Sequence, residues 1–409
     1  MHAWWQRRRY TVFAAALGLI GFCALLLNGR LWGLWGVQHM RPHYLDLVAV
    51  LAAGEAATQG IDVYAGNPLD PFGRPHVYGP AWLLTGRIGL VTEDAGWLGS
   101  ILAVAFLGTA AALIAPRTRG AAALTVLVLL SPPVVLGLER GNNDLVVFLL
   151  LAFTAVFAAA PPRAGLWAGA GATVLAAALK FYPLAGLVAL AGGRASLRRS
   201  ATVAAFAVAA FALLWWVQRH DLARVLELTP KPATIFAHGL SVSVITWDLL
   251  AAVRGWLLLG ALPVGAVGLW WGIRHARDLA GLAPLHGRAT AALLAGVAAW
   301  GACFVLTSSF PYRAVLLLLA FPALLAAGAP AAGRHLAVAT LFTFWLAAPK
   351  YWFAHAAESD PTDARSLHLL SVVTGAEQAA FLLLTAALGG IVLGWAWRRL
   401  RAAPEAQES

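Results

Sequence analysis

The sequence predicts an all-α polytopic membrane protein, and three observations carry that reading. Of 409 residues, 61% are hydrophobic and only 11% charged, where a soluble domain carries about 25% charged residues. Apolar runs of roughly 17–25 residues, each long enough to cross a bilayer, recur from end to end. The short alternating segments of a transmembrane β-barrel are not part of the pattern. One integral membrane domain, 1–409, is expected, with twelve spans near 10–28, 96–115, 120–138, 144–160, 165–179, 181–193, 200–217, 256–273, 289–307, 313–329, 334–349 and 373–397.

The first span lies in "WWQRRRYTVFAAALGLIGFCALLLNG". Its apolar run is long for a signal peptide and no small-x-small cleavage site follows, so it reads as a retained span. Arg7, Arg8 and Arg9 precede it, which places both termini in the cytoplasm of a cell inner (plasma) membrane. The segments then assigned to the inside hold 16 basic residues against three acids, and the outside holds 13 against 15. The net charge of +11 is thus a topology signal scattered over short loops, not a nucleic-acid-binding stripe. Cys23 and Cys303 fall inside spans, without metal-ligand spacing, and read as small packing residues.

The long loops, 29–95, 218–255 and 350–372, all belong to the outside. In the first, "HYLDLVAVLAAGEAATQG" reads as an amphipathic helix lying along the membrane surface, opening with Asp46. "IDVYAGNPLDPFGRPHVYGP" is an irregular Gly/Pro loop and "AWLLTGRIGL" a second surface segment. Asp62, Asp70 and Glu55 carry less expectation, being placed in polar loop or on the far helical face.

Polar residues intrude into the apolar pattern at one face. "LERGNNDLVV" puts Glu139, Arg140, Asn142, Asn143 and Asp144 at the outer mouth of two spans. Lys180 in "ALKFYPLAG" marks an outer turn between two runs of only 13–15 residues. Each of these covers about 20 Å at ~1.5 Å per residue, so either the helices are short and bend the membrane or the turn sits recessed below the surface, at lipid-phosphate depth. Tyr312 and Arg313 open one span; Lys350 and Tyr351 end another. Charges at membrane depth are costly and point to function. The structural alternatives are an N-cap at Asn142 or Asn143, a dipole-favouring Asp144, and Glu139 and Arg140 reaching for headgroups.

Together these residues resemble a known family. A first span, an outer helix opening with an acid, then "QGIDVYAGNP" and "YGPAWLL", resembles glycosyltransferase family 87 of the GT-C superfamily. "ERGNNDLVVFLLLAF" and "LKFYPLAGLVALAGGR" are similar to that family's next two signatures, and "SSFPYRAVLLLLAFPALL" to a tyrosine–arginine element of related membrane proteins. Pro311 departs from that element, standing where a polar residue is expected. The resemblance implies a GT-C-like fold with outer-face amphipathic juxtamembrane helices. It also implies an inverting transferase that moves a sugar, typically mannose, from a polyprenyl-phosphate donor to a lipid or glycan acceptor at the outer face. Asp46 matches the position of the family's base.

The chemistry is compatible with residues found independently. A lipid-phosphate donor keeps its phosphate at the interface, where Arg140, Lys180, Arg313 and Lys350 are candidate partners. One carboxylate accepting the hydroxyl proton suffices, because phosphate leaves unprotonated. Asn142, Asn143, Asp144, Tyr64, Tyr78, Tyr182, Tyr312 and His238 are candidate donor or acceptor contacts. Trp82, Trp247, Tyr351 and Trp352 complete an aromatic supply that bilayer interfaces also favour. His238 and His355 stand apart, so no metal or other cofactor is expected. A twelve-span secondary transporter shares the layout but would show internal repeats and midplane charges. A transferase of a non-sugar headgroup is the other alternative.

Overall fold

The computed structural model describes residues 2–229, 238–239, 254–276, 287–306, 309–326, 331–360 and 363–402. Trp247 lies outside them. Among the described residues the chain is all-helical. Its helices are α1 (His2–Leu27), α2 (Gly29–Leu34), α3 (Leu45–Thr58), α4 (Leu84–Arg87), α5 (Ala95–Ile114), α6 (Arg119–Leu129), α7 (Pro132–Arg140), α8 (Asn143–Ala159), α9 (Pro162–Leu179), α10 (Leu197–Val217), α11 (Arg219–Leu228), α12 (Arg254–His275), α13 (Arg288–Leu306), α14 (Phe321–Leu324), α15 (Ala331–Trp345), α16 (Ala347–Ser359) and α17 (Ala364–Ala402). Two long 3₁₀ segments, Tyr182–Gly192 and Pro311–Ala320, and two short ones, Pro80–Leu83 and Thr92–Asp94, accompany them.

Helix runs through the described part of each of the twelve expected spans. Six helices are long and apolar enough to cross a membrane alone, or seven if the bent pair α6–α7 is one span. That pair bends by 51° at the break before Pro132 and Pro133, where two consecutive prolines remove backbone donors. Of the two runs flanking Lys180, the first is the α-helix α9 and the second gains reach from 3₁₀ geometry. At ~2.0 Å rise per residue, Tyr182–Gly192 extends about 22 Å, against roughly 16 Å as α-helix.

The core lies where α8, α13 and the two 3₁₀ segments meet. Val315 to Leu319 are fully buried, with Phe148 edge-on to Phe106 at 4.8 Å and Trp300 beside Phe381 at 5.4 Å. α12 packs along α17 through Gly268 and Gly272 on one helix and Gly390 and Gly394 on the other. A Cβ on Gly272 would stand 2.0 Å from the Ala387 carbonyl oxygen, so the two backbones touch as small-xxx-small pairs allow.

Two expectations need correction. α3 is not an amphipathic surface helix. Leu45, Leu47, Val48, Val50, Leu51, Ala52, Ala53, Gly54 and Ala56 are buried all round it, because the α4 turn closes over its outer side through Gly54 and Gly86. The amphipathic juxtamembrane helix is α11, which buries Leu222 and Val225 and exposes most of its remainder. The region 350–372 is no long loop either, since α16 runs to Ser359 and α17 starts at Ala364.

The fold sorts the chain into two ends. At one, Arg399 Nη2 donates to the Ala195 carbonyl at 3.2 Å, Arg398 Nη2 donates to the Ala276 carbonyl, and the Arg194 N–H donates to the Ala158 carbonyl at 3.3 Å. At the other, the three expected outer regions meet: Arg224 pairs with Asp62 at 2.7 Å and Trp352 Nε1 donates to the Gly33 carbonyl at 2.8 Å. The charge asymmetry of the sequence leads to the expectation that the arginine-rich end faces the cytoplasm. A membrane-impermeant thiol reagent on intact cells should therefore modify cysteine placed at exposed Gln59 and spare Arg198→Cys; the reverse pattern overturns the orientation.

Candidate active site

The opposite end carries a dense polar cluster, built on the termini of α3, α7, α8 and α9. α7 ends at Gly141, whose φ of +56° suits a left-handed C′ residue. A Cβ there would also press on Tyr44 and Leu47 at 3.0 and 3.1 Å. That close approach seats the start of α3 against the α7–α8 turn. Asn142 then caps α8, its Oδ1 accepting from the Asp144 N–H at 2.9 Å. Its Nδ2 donates to Asp46 Oδ2 at 2.5 Å. One side chain thus closes a helix end and orients the acid 96 residues earlier in the chain.

Asp46 is only partly covered, its side chain 13% exposed. Arg74 Nη1 approaches it to 3.9 Å. Arg74 is itself held by Asp70, with Nε at 3.0 Å and Nη2 at 2.7 Å, and by the Leu45 carbonyl at 3.0 Å. Burial pushes the Asp46 carboxyl above its usual range, opposed by the Asn142 hydrogen bond and by the charges of Arg140, Arg74 and Lys180. Tyr78 lies close enough to feel Asp46, and burial holds its phenol protonated.

Asp144 organises the second half of the cluster. Lys180 Nζ lies 2.8 Å from its Oδ1, the Tyr182 hydroxyl donates to the same oxygen, and Arg313 Nε stands 3.9 Å from Oδ2. Lys180 sits over the rings of Tyr78 at 5.5 Å and Tyr312 at 5.9 Å. Its backbone is extended just past α9. The Gly79 N–H donates to the Leu179 carbonyl at 3.1 Å, bringing the Gly/Pro loop over the lysine. Both polar atoms of the Asn143 side chain and Asp144 Oδ2 are buried without a hydrogen-bond partner. Such groups cost about 1–3 kcal/mol each when left unmet, so the site is suited to a ligand that brings hydroxyls.

Arg140, Lys180 and Arg313 therefore gather around Asp46 and Asp144 from three distant parts of the chain. Arg140 reaches there bonded to Glu139 at 3.0 Å. Tyr78, Tyr182, Tyr312, Asn142 and Asn143 join them. Lys350 does not. It is fully buried and paired with Glu377 of α17, which faces His238 at 3.7 Å. His238 is likewise committed to that cluster, with Gln378 Nε2 at 3.2 Å from its Nδ1, and to two backbone hydrogen bonds with Ser309. Tyr64 packs among Ala53, Ala56, Val63 and Val225, with Arg224 over its ring at 4.9 Å, so it is scaffold for the loop. His76 is buried beside it, its pKa pushed down to about 4, which leaves it a neutral packing group.

Reasoning from sequence missed Arg74 and Asp70. The spacing of four between them in "LDPFGRPHVYGP" is the signal that could have found the pair. It missed Glu377 too, a lone acid within an apolar run, which is the pattern that should draw attention.

No family model matches the chain, and no curated protein does. Among solved structures, the chain is similar to ArnT from Cupriavidus metallidurans in the apo state, at 16% identity over 90% of this chain and 76% of that one, with a TM-score of 0.38. The same protein bound to undecaprenyl phosphate gives 17% identity over 96% and 79%, with a TM-score of 0.39. At these scores the likeness assigns neither a family nor an activity.

Proposed function

We propose that this chain is an inverting glycosyltransferase. It moves a sugar, mannose by the motif resemblance, from a polyprenyl-phosphate donor to a lipid or glycan acceptor at the outer membrane face. One observation carries the reading. Asp70, Glu139 and Asp144 each have a cation within 2.7–3.0 Å, while Asp46 has its nearest at 3.9 Å and keeps some exposure. A close ion pair stabilises the carboxylate and weakens it as a base. Asp46 is the site carboxylate that lacks a close cation and also keeps some exposure, and burial raises its affinity for a proton.

The charge balance supports the same assignment. Arg74, Arg140, Lys180 and Arg313 face Asp46, Asp70, Glu139 and Asp144, so the ionised site is neutral. A polyprenyl-phosphate sugar adds one negative charge. In transfer the acceptor oxygen bonds to the anomeric carbon, the bond from that carbon to the phosphate oxygen breaks, and the acceptor proton passes to Asp46. The phosphate then gains a second negative charge as Asp46 loses its own. Lys180 and Arg313 are placed to stabilise that growing charge, arginine through paired N–H donors and lysine as a point charge. The buried acceptor on Asp144 and the amide of Asn143 suit sugar hydroxyls.

Membranes carrying the chain, incubated with radiolabelled polyprenyl-phosphate sugars, should consume one donor and transfer its sugar to acceptor. Consumption equal to that of Asp46→Asn membranes for every donor tried would overturn the reading. The pH profile gives a finer check. Arg74 lowers the Asp46 pKa, so Arg74→Gln should raise it and move the acid limb of kcat/KM to higher pH, with activity recovering at alkaline pH. A uniform loss at all pH values would mean that Arg74 acts otherwise.

A further inference from the structure

The stretch from Gln38 to Tyr44 carries charge that the transfer chemistry does not use. It is strapped over the end of α7. The Met40 N–H donates to Glu139 Oε1 at 2.9 Å, the Tyr44 N–H to the Glu139 carbonyl at 2.8 Å, and Arg140 Nη2 to the Gln38 carbonyl at 3.3 Å. On this strap His39 stacks against buried Trp32, with ring centroids 5.7 Å and planes 13° apart, and meets His43 at 5.3 Å. Arg41 stands exposed between the two imidazoles.

The groups facing one another here are His39, His43, Arg41, Arg140 and Glu139. Glu139 is already taken by Arg140 and by the Met40 amide. Among the described residues no carboxylate pairs with Arg41, His39 or His43, and the buried Nδ1 of His43 has no hydrogen-bond partner. Burial, then His43, Arg41 and Arg140, hold the His39 imidazole below its usual range; burial, then Arg41, does the same for His43. Among the described residues Arg41 is thus a cation without a paired carboxylate, flanked by two imidazoles that a nearby anion would help to protonate. The neighbouring chain sets its depth: Leu27 and Leu34, on either side of Trp32, are 88% and 69% exposed, which suits contact with acyl chains.

We propose that Arg41, Arg140, His39 and His43 form a binding site for the phosphate of an anionic lipid headgroup, and that this site seats the acceptor beside Asp46. The strap links the two: it ends at Tyr44, the residue that opens α3 two positions before Asp46, and Arg140 holds its other end through the Gln38 carbonyl. Naming the lipid as acceptor rests on the transferase reading; the anion site itself does not. Arginine offers paired donors to phosphate, and each imidazole adds a donor once protonated, so binding takes up protons and strengthens on acidification.

Native mass spectrometry of the full chain in detergent tests this with phosphatidylglycerol against phosphatidylcholine. The wild type should retain phosphatidylglycerol preferentially, more so at lower pH. Arg41→Gln, an exposed change that leaves the fold alone, should cut that retention about tenfold, the scale of one charge-assisted contact. Arg87→Gln, equally exposed on α4, should not. Equal losses in both variants, no loss in Arg41→Gln, or glycerol 1-phosphate bound as tightly as the lipid would overturn the proposal. Arg41-dependent retention without any donor turnover would leave the anion site standing and defeat the transferase reading. Turnover with an unchanged acceptor KM in Arg41→Gln would do the opposite.

Discussion

Asp46→Asn is expected to lower turnover by about 10² to 10⁴, the range for removing a general base, with protein level and donor binding retained. The geometry explains why chemistry and folding should separate at this position. The Asn142 contact is a hydrogen bond to a side-chain oxygen, which asparagine still provides. Arg74 keeps Asp70 and the Leu45 carbonyl as its closer partners. Burial already disfavours the charged form of Asp46, so a neutral isostere removes an electrostatic cost and does not create one. Near-full activity, or a variant that fails to accumulate, would sink the assignment.

Two other acids of the region 29–95 set the scale. Asp62 is 53% exposed and pairs with a half-exposed Arg224, so Asp62→Asn should leave turnover unchanged. Asp70 looked equally bland in the sequence. It is 4% exposed and fixes the arginine that faces Asp46, so Asp70→Asn should share part of the Arg74→Gln pH shift.

The helical class was legible because apolar run length and charge depletion are local properties of the chain. So was the gathering of Arg140, Lys180 and Arg313 at one end, since charges at span ends must go to one face or the other. What the sequence concealed was tertiary. α3 looked amphipathic, and its polar-looking side is made of alanines and Gly54, which a turn from residues 84–87 covers. Lys350 looked like a phosphate ligand at a span end. Its partner Glu377 lies 27 positions away on another helix, and no local pattern relates them. Asn142 was readable as a cap, but its second bond, to Asp46, required knowing that Gly141 lets Tyr44 and Leu47 approach.

Asp144→Ala should fail in a different way, through the fold. Asp144 is fully buried and neutralises Lys180 at 2.8 Å, accepts from Tyr182, and faces Arg313 at 3.9 Å. Its removal strands Lys180 in a region with little solvent. Breaking a buried pair from one side costs about 3–5 kcal/mol, a large part of the roughly 5–15 kcal/mol that holds a typical protein folded. Folded yield should fall steeply, and thermal unfolding in detergent should begin earlier. Removing the stranded lysine as well, in Asp144→Ala with Lys180→Met, should recover much of the yield, because the uncompensated charge and not the missing carboxylate is what destabilises. Donor use should remain low in that double variant, since the point charge for the phosphate is gone. Wild-type yield in Asp144→Ala with turnover alone abolished would give the opposite answer. Asp144 would then be the proton acceptor, and Asp46 the group that merely holds Asn142 in place.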